Sequence, residues 1–105
     1  MKQTTPLLLF VLLLGLLSSC KNAPVACFTV VTPADSIRLG HTVTFDASCS
    51  SDATQYYWDL GNGQTSTLAP TVQTIYDSTM TYTVALVVGN SGKSASVTKK
   101  IIVLP

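Results

Sequence analysis

The chain reads as an all-β protein, a β-sandwich of about seven antiparallel strands behind an N-terminal leader. Three observations predict this. Short runs rich in Val, Thr, Ile and aromatic residues recur at even spacing, each closed by Gly, Pro, Asn, Asp or Ser. Several runs alternate apolar and polar residues with the period of a half-buried strand. No segment carries a helical period outside the leader. The unbroken apolar run Leu7–Leu17 (LLLFVLLLGLL) precedes all of this.

The leader, residues 1–19, has the parts of a secretory signal: Lys2 as a positive start, the apolar run, and small residues before a cut. The run falls well short of the roughly 20 residues that a spanning helix needs. Its ending, Leu17-Ser18-Ser19-Cys20, resembles a bacterial lipobox. That resemblance implies a diacylglyceryl group on the Cys20 sulfur, cleavage after Ser19 and acylation (palmitate or a similar chain) of the new amine. One chain holds a protein on a bilayer only marginally, whereas two or three anchor it stably. An ordinary signal peptide and an uncleaved anchor are the alternative readings. Lys21 stands where Asp often marks inner-membrane retention. The expectation is therefore an outer-membrane lipoprotein facing the periplasm or the cell surface.

Residues 20–24 form the lipidated N-terminus and a short linker, and residues 25–105 a single domain. The first strand-like run is Val25–Thr32, ended by Pro33-Ala34-Asp35, with Ile37–Leu39 a short continuation to Gly40. His41–Ala47 alternates cleanly, with Val43, Phe45 and Ala47 on one face. Thr54–Leu60 follows. Then come Gly61-Asn62-Gly63, where Asn-Gly is a strong hairpin signal, and Gln64–Thr67. Pro70–Tyr76 is next. Thr81–Val88 sets Tyr82, Val84, Leu86 and Val88 on one face. Asn90-Ser91-Gly92-Lys93 reads as a hairpin, and Ser94–Leu104 ends the chain. One residue disturbs that last run: Lys99 shares a face with Ala95, Val97, Ile101 and Val103. Either a bulge shifts the phase there, or Lys99 lies near an edge and extends its amine to water.

With Lys2 set aside, five bases face five acids, all of them Asp. No basic stripe points to nucleic acid. With Cys20 committed to lipid, Cys27 and Cys49 remain as an even pair in an exported protein, which favours a disulfide; two free thiols are the alternative. Ala26 and Phe28 facing inward would turn Cys27 outward, while Cys49 follows the inward phase of Phe45. A bridge therefore requires the chain to turn after Ala47, where Ser48, Ser50, Ser51 and Asp52 suit a turn.

The block Tyr56-Tyr57-Trp58-Asp59-Leu60-Gly61-Asn62-Gly63 resembles the signature of the PKD (polycystic kidney disease) domain family, Tyr-x-Trp-Asp-Phe-Gly-Asp-Gly. The likeness extends through Val43-x-Phe45-x-Ala47-Ser48, Pro70–Tyr76, Thr81-Tyr82-Thr83-Val84, Asn90-x-x-Gly92 and Ile101-x-Val103. Leu60, Asn62 and Met80 depart from the pattern. The resemblance implies an immunoglobulin-like sandwich and a non-catalytic module, used as a spacer or as a protein or polysaccharide contact. The motif also explains itself physically. Tyr56 and Trp58 share a face, so Trp58 can fill the centre between two sheets. Asp59 and Asn62 can accept backbone amides of the turn. Tyr57 points the other way, beside Thr and Gln, and is the candidate contact for sugar or protein.

Catalytic chemistry has little to draw on. His41 opens a strand with no nucleophile elbow nearby. The five Asp sit at turns and strand edges, where they cap backbone amides. One His with committed cysteines cannot hold zinc. Loop oxygens of Asp59, Asn62 or Asp77 could meet calcium, but no EF-hand spacing occurs. Gly61-x-Gly63 lacks a P-loop lysine. The sequence thus predicts no enzyme and no cofactor, but a membrane-tethered interaction module. A self-associating envelope component and a carbohydrate-binding accessory are the alternatives.

Overall fold

In a computed structural model of the chain, residues 22–105 are described. The leader and Cys20 lie outside the described residues. The strands are β1 (Thr29–Val30), β2 (Thr42–Asp46), β3 (Gln55–Asp59), β4 (Thr65–Ser66), β5 (Thr71–Ile75), β6 (Thr81–Asn90) and β7 (Lys93–Ile102). They form two antiparallel sheets, one ordered β1-β2-β5 and the other β4-β3-β6-β7. This is the β-sandwich that the alternation predicts.

The alternating residues make the core. Val43, Phe45 and Ala47 of the first sheet meet Trp58, Val84, Leu86 and Val88 of the second, and all are fully buried. Trp58 stands at the centre. Its ring lies 5.2 Å from Phe28, edge-on, and 6.2 Å from Phe45. Such pairs add about 1 kcal/mol each beyond the area they bury. Trp58 Nε1 donates to the Leu68 carbonyl at 2.8 Å, so its polar atom is satisfied inside the core. The buried rings of Tyr76 and Tyr82 lie 4.5 Å apart at one end. The Tyr76 hydroxyl donates to the Leu60 carbonyl at 2.6 Å, and the Tyr82 hydroxyl to the Ser78 carbonyl at 2.9 Å.

Three details differ from the local pattern. The first run shrinks to Thr29–Val30, with Val25 making only an isolated bridge to Ser51. Ile37–Leu39 does not continue β1. It crosses to the other sheet, where Arg38 lies beside Leu104 in a parallel bridge, after a single 3-10 turn at Ala34–Ser36. The Asn-Gly hairpin closes differently from a two-residue turn with both φ positive. Gly61 and Gly63 carry the positive φ, at 82° and 87°, and Leu60 bonds Gln64 across the turn. The hairpin from β6 to β7 does have that form: Ser91 and Gly92 both have positive φ.

Lys99 needs no bulge. The β6–β7 register runs unbroken from Thr81↔Ile102 to Asn90↔Lys93, and β7 is an edge strand. Lys99 therefore keeps the inward phase and escapes at the edge. Its Nζ lies 5.4 Å from the centre of the Phe28 ring, a cation–π contact.

Candidate functional site

The signature turn is a structural device with every polar group assigned. Asp59 accepts the Gly61 amide at 3.0 Å, and Asn62 Oδ1 accepts the Gln64 amide at 3.1 Å. Both roles were readable from the residue types. The second half of Asn62 was not. Its Nδ2 donates to Thr74 Oγ1 at 3.0 Å and to the Ile75 carbonyl at 3.3 Å. Thr74, itself buried, also donates to Gln64 Oε1. The turn of one sheet is thereby bonded to β5 of the other. A Cβ on Gly61 would lie 2.5 Å from the Thr83 carbonyl oxygen, so the turn is also pressed onto β6.

Cys27 and Cys49 are bridged, with Cα atoms 5.3 Å apart. The phase difficulty resolves as the sequence required. The chain turns at Ser48-Cys49, just past buried Ala47, and Cys49 emerges at the surface. Ser50 reinforces the staple by donating its hydroxyl to the Cys27 carbonyl at 2.7 Å and accepting the Cys27 amide at 2.9 Å. Asp46 accepts both the hydroxyl and the amide of Ser48. These bonds, the side-chain one foremost, hold its carboxyl below the usual range.

The acids weighed for chemistry are thus engaged locally or apart. Asp46 and Asp59 cap turns, and His41 opens β2 at the surface, its amide bonded to the Arg38 carbonyl. Among the described residues, no group of three or more His, Cys, Asp or Glu could hold a metal ion.

Tyr57 is the exception to this inward bookkeeping. It is 48% exposed on the outer face of the four-stranded sheet. Across the ladder it pairs with Val87, and Val87 with Ser96. An open groove of about 1020 Å³ runs over this face, from the loop Thr67-Leu68-Ala69, past Gln55 and Tyr57, to Gly92, Lys93 and Ser94. Gly89 lies in its floor, opposite Gln55, where a side chain would raise the surface. Leu68 is exposed at the rim, and its carbonyl is held by Trp58. Gln55, Thr67 and Ser94 thus line the same groove as the Tyr57 ring and the Leu68 side chain. Tyr57 was identifiable from its phase. Leu68 was not, although an apolar residue stranded in a polar loop was a signal.

The family model of the PKD domain matches residues 27–103. The chain belongs to the PKD domain family. The PKD1 domain of the Vibrio cholerae metalloprotease PrtV is 32% identical, with a TM-score of 0.64, and the match covers 80% of this chain and 100% of that one. The PKD1 domain of Vibrio anguillarum Epp is 29% identical with the same TM-score, over 82% of this chain and 100% of the other. A structure of carbohydrate-binding modules from the β-sandwich superfamily, solved for the basis of their promiscuous specificity, is 36% identical with a TM-score of 0.72. The match covers 81% of this PKD chain and only 36% of that chain, about a third of its length. No curated protein matches. Family and neighbours fit an interaction module, and PKD domains are generally non-catalytic.

Proposed function

We propose that this PKD domain is a non-catalytic, glycan-contacting module held on a bacterial envelope membrane through a lipidated Cys20. The observation that carries the glycan reading is the exposed Tyr57 ring in an open groove that Gln55, Thr67 and Ser94 also line. Sugars stack their C–H faces on such rings while neighbouring amides and hydroxyls take up their hydroxyl groups, the mixture of apolar platform and placed polar groups usual for small-ligand sites. The likeness to a structure of carbohydrate-binding modules supports the same reading.

The start of the fold supports a close tether. Asn90 Nδ2 donates to the Asn22 carbonyl at 3.4 Å and to that of Asp52 at 2.7 Å. Cys20 is two residues from Asn22, a reach of about 7 Å. The end of the sandwich with the Asn90–Lys93 hairpin would then rest near the bilayer, and the Gly61–Gly63 turn would point away.

Two measurements test the proposal. The soluble fraction of a polysaccharide pull-down (cellulose, chitin and peptidoglycan) should be depleted of the protein, and Tyr57→Ala should restore it while leaving the melting temperature unchanged. Retention independent of Tyr57 would defeat the glycan reading. Mass spectrometry of the native N-terminus should find a chain beginning at an acylated Cys20. An unmodified Cys20 would defeat the tether.

A further inference from the structure

A second surface lies at the opposite flank of the sandwich, where the two sheets leave a side open. Among the described residues β7 pairs with β6 and no other strand. The Val103 amide bonds the Met80 carbonyl, which extends the β6–β7 ladder by one pair. Antiparallel ladders alternate, so Ile101, Lys99, Val97 and Ala95 turn their backbone groups to β6. Those of Ser94, Ser96, Thr98, Lys100 and Ile102 turn to the free edge. Leu104 has the same phase and shows what the edge can do: its amide bonds the Ile37 carbonyl and its carbonyl accepts the Leu39 amide. One crossing segment thus caps the last outward position, and the positions before it have no backbone partner among the described residues.

A cavity of about 560 Å³ adjoins the uncapped stretch, walled by Val30, Pro33, Ile37, Ile101, Ile102 and Leu104. It exists because β1 has only two residues and does not close this side. Strand addition requires both features: an edge for main-chain bonds and a pocket for alternate side chains.

Charge selects the occupant. β7 carries Lys93, Lys99 and Lys100 and no acid, while Asp35 is the single acid around the cavity. A second copy pairing through β7 would bring six lysines and no acid to one junction, and registers centred near Lys99 or Lys100 would set lysine directly against lysine, which is destabilising. Lysines on an edge guard against such self-pairing. We infer that β7 accepts an extended segment of a partner protein in which acidic and apolar residues alternate, bonded along Ser94–Ile102, with an apolar side chain of its inward face in the cavity and carboxylates of its outward face against Lys100.

The probe is a synthetic octapeptide alternating Glu and Val, with a Lys/Val peptide as control, titrated into the full chain in detergent micelles. The expected result is binding at least tenfold tighter for the acidic peptide, with slowed amide exchange at Ser96, Thr98 and Lys100. Thr98→Pro should abolish it, because that proline removes an amide hydrogen that no partner among the described residues uses. Should Thr98→Pro fail to fold, the charge reversal Lys100→Glu should invert the peptide preference. Equal binding of both peptides, protection elsewhere in the chain, or a preference unmoved by these changes would overturn the inference. So would concentration-dependent dimers that Thr98→Pro or the charge reversal dissolves, since the occupant would then be a second copy. None of these outcomes bears on Tyr57 or Cys20.

Discussion

Asn62 Nδ2 lies 3.0 Å from Thr74 Oγ1, and this contact ties the hairpin of one sheet to β5, an edge strand of the other. Asn62 is also a departure from the family's usual Asp. The two facts are connected. A carboxylate could still accept the Gln64 amide and the Thr74 hydroxyl, but it could not donate to the Ile75 carbonyl, which Asn62 reaches at 3.3 Å. Asn62→Asp, although it restores the family residue, should therefore destabilise this chain by about 1 kcal/mol. Thermal unfolding should show the midpoint about 4–8 °C lower. A midpoint unchanged or raised would mean that the sheet-to-sheet bonds of Asn62 contribute nothing.

Gly61 and Gly63 flank Asn62 with nearly the same φ, yet they should respond differently to alanine. At Gly63 a new Cβ meets nothing within 4 Å, so the loss is the left-handed backbone penalty of about 1–2 kcal/mol. At Gly61 the Cβ would press on the Thr83 carbonyl oxygen at 2.5 Å. Backbone cannot yield as a flexible side chain does, so Gly61→Ala should be worse by more than about 1 kcal/mol. Denaturant midpoints of the two variants, measured at equal slopes, make the comparison.

The ordering of these effects shows where the sequence was readable. Val43, Phe45 and Ala47, like Tyr82 to Val88, alternate because one face is buried and the other is not, so their strands and their contribution to the core could be read directly. Trp58 was placed by its phase against Tyr57. The destination of Ile37–Leu39 was hidden, because pairing with Leu104 joins residues far apart in the chain and leaves no local period. The same is true of the groove: Tyr57 was legible, but the wall at Leu68 depends on a loop that Trp58 holds from beneath. The donor half of Asn62 was hidden for that reason too, since a turn residue advertises its turn and not the distant strand behind it.

The staple at the N-terminal end should be worth more than its surface position suggests. The bridge between Cys27 and Cys49 spans 22 positions, and the chain-entropy account assigns such a loop about 3 kcal/mol. Cys27→Ser with Cys49→Ser should lower stability by that amount while leaving the Trp58 environment native, because Cys49 lies outside the core. Near-ultraviolet dichroism of the folded double variant, together with its denaturant midpoint, checks both halves. A collapsed aromatic signal would show that the bridge organises the core rather than clamping the chain entry to the turn at Ser48–Asp52.

Tyr76 gives the fold an alkaline limit. Burial, then the neighbouring Tyr82 and Asp59, push its hydroxyl above the ordinary tyrosine range. A folded-state value above the unfolded one means that its contribution is complete below about pH 10, where a tyrosine of the unfolded chain ionises. That contribution is lost as the pH rises from there toward the folded value. Tyr76→Phe removes the titration and with it the bond to the Leu60 carbonyl, leaving a buried acceptor unpaired. The variant should be about 1–3 kcal/mol less stable at neutral pH, and its stability should fall less steeply between pH 10 and 11. Asp46 acts on the acid side. Its carboxyl is depressed, so the stability it adds is present above the ordinary carboxylate range and lost as the pH falls through its lower folded value. Urea midpoints across both ranges distinguish the two groups: Asp46→Asn should flatten the acid limb alone, and Tyr76→Phe the alkaline limb alone. An alkaline limb unchanged in Tyr76→Phe would assign the transition to other tyrosines.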